Sequence, residues 1–176
     1  MNFLYKMWLL WQSPRLGSDA FYPLPNWLKS YLSKYHLYER VGLYARLLDG
    51  VDMSVITPDE VGCVESMTRL LRNLDPSLTD VLTYTPYFVN HMEGSKRFIE
   101  VEETVAKLIG IGVIVIAETG TGNNKVSNGH VGVLDGDRIW SNHSYGKDWS
   151  GYWSLLTFKN YYQLKGGMKV RYFLPI

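Results

Sequence analysis

The hydrophobic pattern of the chain changes its period near Leu108, and this change limits the folds that the sequence can adopt. Before Leu108, apolar residues recur at intervals of three and four, as on one face of an α-helix. After it, apolar residues alternate or run together, as in β-strands. The strands predicted in this second half are 113–117, 129–134, 138–141, 153–158 and 168–173. Helices followed by an antiparallel sheet are typical of an α+β domain.

The helical half divides into two predicted parts. From Asn26 the apolar residues predict one long helix or two short ones that end near Asp49-Gly50. A further helix is predicted to begin at the sequence Thr-Pro-Asp-Glu at 57–60, which supplies an N-cap hydroxyl, a proline at the first helical position and a glutamate three residues after the cap. The apolar face of this helix includes Cys63, and Asp75-Pro76 is predicted to end it.

Length and composition indicate one compact unit. The chain has 176 residues, of which 46% are hydrophobic, so one sizeable core is expected. We predict an N-terminal helical extension at 1–50 and a main domain at 51–176. The net charge of +1 does not favour a nucleic-acid partner. The apolar runs Met7–Trp11 and Leu108–Ala117 are too short for a secretory core and a transmembrane helix respectively, so neither is predicted and the localisation stays open.

One cysteine, one histidine and one asparagine form the candidate catalytic group. Cys63 is the single cysteine of the chain, which excludes an internal disulfide and a structural zinc site of several thiolates. A nucleophilic thiol needs a helix start or a cation, an imidazole to share its proton, and a polar group to orient that imidazole. His130 opens one predicted strand and Asn142 ends the next, with a tight turn at 135–137 between them. Cys63, His130 and Asn142 are therefore predicted to meet.

The motifs around these residues resemble a known family. They are Gly62-Cys63 at a helix start, Thr119-Gly120-Thr121-Gly122 after a strand, Gly129-His130-Val131-Gly132, and Ser141-Asn142. Together they resemble the papain-like cysteine peptidases, most of all the CHAP and NlpC types of bacterial and phage cell-wall hydrolases, over about residues 57–176.

The resemblance implies a papain-like α+β fold with the nucleophile at a helix start. Carried over residue by residue, Cys63 is the nucleophile, His130 the general base and Asn142 the orienting residue. The implied reaction is cleavage of an amide bond in peptidoglycan, by an endopeptidase or an amidase, through a thioester and without a cofactor or metal. The enzyme would then act on the bacterial cell wall.

Substrate-binding candidates surround this group. Gly62 leaves room for a substrate to approach the sulfur, and Trp140, Tyr145 and Trp149 are predicted to line a groove for a glycan or a peptide. The sequence departs from papain in having no glutamine shortly before Cys63, so the side-chain donor of the oxyanion hole is unassigned.

Several alternatives remain open from the sequence. His143 is a second candidate for orienting His130, and a metal site of His130, His143 and Asp148 is conceivable although its spacing fits no known ligand pattern. The same fold would also suit a non-catalytic wall or glycan binding module, or a phage structural protein. An acyltransferase would use the same thiol and imidazole, with an amine in place of water.

Overall fold

A computed structural model describes residues 24–51, 62–118, 129–142 and 148–176 of the chain. The helices are α1 (Asn26–Leu32), α2 (Leu37–Leu47), α3 (Cys63–Leu74), α4 (Thr85–Gly94), α5 (Glu103–Ile109) and α6 (Leu155–Lys159), and a π-helix (Asn160–Lys165) continues directly from α6. The strands are β1 (Phe98–Val101), β2 (Ile111–Ala117), β3 (His130–Asp135), β4 (Arg138–Asn142), β5 (Trp149–Ser154) and β6 (Val170–Pro175).

The strands form one open sheet with the order β1-β6-β2-β3-β4-β5, and all of its neighbouring pairs are antiparallel. The predicted α+β class, with helices ahead of an antiparallel sheet, is confirmed at this level. The predicted strand at 153–158 is wrong in its second half. Ser154 and Thr157 form a reciprocal capping box that ends β5 and starts α6, because each side chain bonds the main-chain N–H of the other.

Helices cover both faces of the sheet, and each face has its own core. Successive side chains of a strand point to opposite faces, so β2 sends Ile114 and Ile116 to one core and Val113 and Val115 to the other. We call the first side the α3 face, because α1 to α4 pack there. The second side is the α6 face, where α5, α6 and the π-helix pack.

The helices before residue 51 belong to the same core as the sheet. Leu28 and Tyr44 are buried on the α3 face together with residues of α3 and β3. Helix α2 lies so close to β2 that a Cβ at Gly112, where φ is +72°, would stand 1.6 Å from the Tyr38 carbonyl oxygen. The described part of the predicted extension therefore packs as an integral part of the domain.

The structure also bears on where the predicted helices and the hairpin begin and end. The region from Asn26 contains two short helices, and the hairpin between β3 and β4 turns at Gly136, where φ is +61°. The predicted cap at 57–60 lies outside the described residues, and α3 has Gly62 as its N-cap and Asp75 as its C-cap.

Among the helices of the described ranges, none combines the length and apolar character needed to cross a bilayer.

Candidate active site around Cys63 and His130

Cys63 is the first residue of α3, and its sulfur lies at the beginning of β3. The Sγ is 3.9 Å from the carbonyl oxygen of Gly129, to which the thiol donates. The side chain belongs to the α3-face core, and the residue is 7% exposed. The fold thus places the sulfur against the main chain that leads into His130.

Two opposing effects act on the Cys63 thiol. Burial raises its pKa to about 11, because a thiolate loses hydration in the core. Main-chain hydrogen bonds from Val131, Val64 and Cys63 itself act in the opposite direction, and two of these groups belong to the first turn of α3. Burial has the larger effect, so the thiol is protonated at neutral pH in this state.

His130 is the first residue of β3, and its ring is held on the α6 face. Its Nε2 and the Ser141 Oγ are joined by a hydrogen bond of 3.0 Å. The ring stacks on Tyr162 of the π-helix, with centroids 5.4 Å apart and planes inclined by 3°. A second ring contact, tilted by 43°, is made with Phe158 of α6.

The register of the β3–β4 hairpin explains why Ser141 meets His130. Asp135 pairs with Arg138 and Val133 with Trp140, which places Gly132 opposite Ser141. A Cβ built at Gly132 would stand 3.0 Å from the Ser141 Cβ. Since residues two apart on a strand share a face, Ser141 joins His130 on the α6 face.

Asn142, the residue after Ser141, faces the opposite side of the sheet. It lies at the end of β4, buried, and is paired directly with Trp149 of β5. Trp140 and Trp149 pack in the α3-face core, so Asn142 faces the side of the sheet that carries Cys63 and α3. The orienting role that the sequence assigns to Asn142 stays a prediction, while the hydrogen bond found at Nε2 joins it to the Ser141 hydroxyl.

The predicted groove residues have different placements. Gly62 is buried as the N-cap of α3. Trp140 is half-buried, with its ring against Gly151. Trp149 is fully buried, and its indole N–H donates a 3.0 Å bond to the Ala45 carbonyl oxygen, so it is a core residue and the prediction of a groove position is corrected. Tyr145 lies outside the described residues.

Tyr162 and Ser141 are site residues that the sequence reasoning missed. Burial raises the pKa of the Tyr162 phenol, and a negative charge on Cys63 would raise it further, so the sulfur lies within electrostatic range of the ring that stacks on His130. Counting residue pairs outward from the turn at 135–138 would have identified Ser141. No signal marked Tyr162, since nothing in its segment predicted a π-helix.

A buried ion pair lies one turn along α3 from Cys63. The Nε of Arg69 donates to the Glu65 carboxylate at 2.8 Å, and both side chains are almost entirely shielded from solvent. The spacing of four residues allows this contact within one helix. Each charge thus has a partner of opposite sign where both side chains are removed from solvent.

Within the four described ranges, no group of three or more histidine, cysteine, aspartate or glutamate side chains is placed to hold a metal ion. His143, a member of the metal site considered from the sequence, lies outside them. Comparisons with protein-family models, with curated proteins and with solved structures each find no match. The function is therefore argued from the site.

Proposed function

We propose that the protein is a cysteine hydrolase of papain-like fold that cleaves an amide bond in peptidoglycan. The observation that carries the proposal is the position of the single thiol. Cys63 begins a helix, main-chain N–H groups bond its sulfur, and it contacts the residue before His130. Thiol acyl transfer uses a nucleophile at a helix start together with an imidazole that can reach it. The substrate class comes from the likeness of the motifs around residues 62, 130 and 142 to cell-wall hydrolases.

In the proposed reaction Nδ1 of His130 takes the Cys63 proton. The His130 ring lies on the α6 face and the sulfur in the α3-face core, so the sulfur must first come within hydrogen-bond reach of the ring at the start of β3. The sulfur attacks the carbonyl carbon of the amide, and the N–H groups at the start of α3 are donors for the resulting oxyanion. The C–N bond breaks as the imidazolium gives its proton to the leaving amine, which forms a thioester on Cys63. Water then loses a proton to His130 and attacks the thioester, releasing a carboxylic acid and restoring the thiol.

The burial of Cys63 decides how the thiol is activated. A thiol with a pKa of about 11 does not carry a standing negative charge at pH 7. His130 must therefore remove the proton as the sulfur attacks, which is general-base catalysis. The rate is then expected to depend on neutral His130.

Digestion of purified cell wall tests the proposal. Wild-type protein is expected to release soluble muropeptides or free peptides, which mass spectrometry identifies by the bond that was cut. Cys63→Ala and Cys63→Ser should release none above background, and neither should wild type in which mass spectrometry shows Cys63 to be fully alkylated by iodoacetamide. A chelator should change nothing.

Met67→Leu is the matched control. Met67 is fully buried on the same helix, and this substitution nearly conserves volume, so activity should persist. Full release by Cys63→Ala would remove Cys63 from the mechanism. Loss of release in Met67→Leu as well would show that the assay reports the integrity of α3 instead of the thiol.

A second candidate is a non-catalytic wall-binding or phage structural protein of the same fold. The observation in its favour is the burial of the thiol, which suits a small core residue as well as a nucleophile. This candidate predicts that wild type and Cys63→Ala sediment equally with insoluble wall and that neither releases fragments. An acyltransferase would instead give amine conjugates when hydroxylamine is added to the digest, since the thioester would partition to that nucleophile.

A further inference from the structure

We propose that Ser141 is the positioning residue that fixes the His130 ring, the role that the sequence assigns to Asn142. The catalytic consequence of this assignment rests on the function proposed above. The assignment itself concerns the ring and its neighbours, and it is measurable in the protein without any substrate.

Geometry favours Ser141 because it bonds one ring nitrogen and shares the ring's face of the sheet. The Ser141 Oγ is 3.0 Å from Nε2, and both residues are buried. Asn142, one residue further along β4, faces the other side and pairs with Trp149. The regular alternation of β4 therefore separates the two candidates.

Two contacts together leave the ring little freedom. The hydrogen bond to Ser141 fixes rotation about the Cβ–Cγ bond of His130, and the parallel stack on Tyr162 fixes the plane of the ring. A buried bond of this kind has little competition from water. The ring is thus held before any substrate arrives.

The direction of the hydrogen bond decides which nitrogen is basic. When Nε2–H donates to the Ser141 oxygen, the neutral ring carries its proton on Nε2 and Nδ1 is the base. A serine hydroxyl can either accept from Nε2–H or donate to an unprotonated Nε2, so the bond alone does not choose the tautomer. We take the first direction because the proposed mechanism needs Nδ1 as the base. A neutral hydroxyl does not hold a permanent imidazolium as a carboxylate would. A neutral His130 is the base that the proposed mechanism needs, because the Cys63 thiol is protonated before the reaction starts. Tyr162 of the π-helix is the titratable group stacked on the ring, and Cys63 of α3 lies within electrostatic range of Tyr162.

Nitrogen-15 NMR of histidine-labelled protein tests the proposal. The ring shifts report the fraction of neutral His130 that carries its proton on Nε2, and the loss of one signal set in His130→Gln assigns the ring among the four histidines. The wild type is expected to show mainly the Nε2–H form. Ser141→Ala should shift the population toward a mixture of both forms, Ser141→Thr should restore it by supplying the hydroxyl, and Asn142→Ala should keep the wild-type ratio.

Kinetics add a second readout. If the wall is hydrolysed, Ser141→Ala should lower kcat about tenfold with little change in KM, as expected for loss of one neutral hydrogen bond that acts on the reacting group. Ser141→Thr should recover most of this loss.

Three results would overturn the proposal: a wild-type ring with its proton on Nδ1, a Ser141→Ala ring with the wild-type ratio, or a ratio that changes in Asn142→Ala instead. The first measurement needs no change at Ser141, so misfolding of Ser141→Ala does not block the test. A protein that hydrolyses no cell wall but shows the expected tautomer ratios of His130 would contradict the proposed function and support the positioning role of Ser141.

Discussion

The sulfur of Cys63 lies 3.9 Å from the carbonyl oxygen of Gly129, the residue immediately before His130. Helix α3 and strand β3 therefore bring Cys63 and His130 to the same end of the sheet, although 66 residues separate the atoms of this contact along the chain. In the state described, the thiol is a hydrogen-bond donor to main chain, and its burial keeps it protonated.

The first prediction is slow alkylation of Cys63 at neutral pH. Only the thiolate reacts with iodoacetamide, and burial raises the pKa of this thiol to about 11. The alkylation rate of the folded protein should be low at pH 7 and climb until about pH 11. Mass spectrometry of quenched samples measures the rate cleanly, because the chain has one cysteine.

Urea-unfolded protein is the control for alkylation. Its exposed thiol should react with an ordinary pKa of about 8.5. A folded protein that reacts as fast as unfolded protein at pH 7 would contradict the burial described above. It would then favour a thiolate already formed by His130.

The second prediction concerns stability at alkaline pH. The pKa of the Cys63 thiol is raised from 9.0 in the reference state to about 11 in the fold, so folding favours the neutral thiol. Its contribution to stability is complete below pH 9 and is lost as the pH rises from 9 to 11. Over this window the free energy of unfolding should fall with a slope of up to about 1.4 kcal/mol per pH unit from this group.

Comparison with Cys63→Ala isolates that contribution. Burial also raises the pKa of the Tyr162 and Tyr172 phenols, whose ionisation lowers stability at high pH in both proteins. Urea unfolding at several pH values should show the difference between wild type and Cys63→Ala shrinking above pH 9. A difference that stays constant from pH 8 to 11 would show that the thiol titrates normally.

How far the site could be predicted depends on the kind of information each residue needs. Cys63 and His130 stand out by residue type and by the glycines beside them, and the hairpin between β3 and β4 follows from its turn. The choice between Ser141 and Asn142 depends on which residue of β4 shares a face of the sheet with His130. The register of the hairpin decides this, and a resemblance between motifs carries no information about register. Tyr162 reaches the site through tertiary packing of the π-helix on the sheet, which no local pattern encodes.

For the fold as well, elements with a regular burial pattern could be predicted from the sequence, while elements placed by non-local contacts could not. Long periodic segments such as α2 and the buried strand β2 are visible in the sequence because their burial imposes a regular pattern. The short edge strand β1 has two exposed residues among four and was not predicted, and neither were α4 and α5. Their positions depend on pairing with β6 and on packing against the sheet, which are non-local contacts.

The third prediction separates a core role from a binding role for Trp149. Trp149→Phe removes the indole N–H and leaves the buried Ala45 carbonyl oxygen without that donor, so the free energy of unfolding should fall by about 1–3 kcal/mol. Urea unfolding followed by circular dichroism measures this change. The affinity for cell wall should be unaltered, since the ring has no exposed surface.

Trp140→Phe is the matched control for Trp149, because Trp140 is only half-buried. It should cost less stability than Trp149→Phe. A Trp149→Phe protein with normal stability and weakened wall binding would restore the groove position predicted from the sequence.

The fourth prediction concerns Arg171 of β6, whose guanidinium holds together three carboxylates from different parts of the fold. It donates to Glu93 of α4 at 2.6 Å, to Glu100 of β1 at 2.7 Å, and to Glu118, which follows β2, at 2.6 Å. Arg171 is buried while its partners are partly exposed, so solvent screens each pair and the interaction of each is modest. Arg171→Met leaves three like charges together without the guanidinium that they share, and the free energy of unfolding should fall by about 1–3 kcal/mol at pH 7.

The pH dependence of Arg171→Met distinguishes charge from packing, since the Arg171 side chain also covers the ring of Phe173 at 4.9 Å. Arg171 lowers the pKa of Glu100, so its contribution is present above the ordinary glutamate pKa and is lost as the pH falls through the lowered value. The deficit of Arg171→Met should therefore shrink below about pH 4. Arg171→Lys keeps the positive charge but cannot reach all three carboxylates, so its free energy of unfolding should lie between those of the wild type and Arg171→Met. A deficit that is equal at pH 7 and pH 3 would assign the loss to packing on Phe173 instead of to the carboxylates.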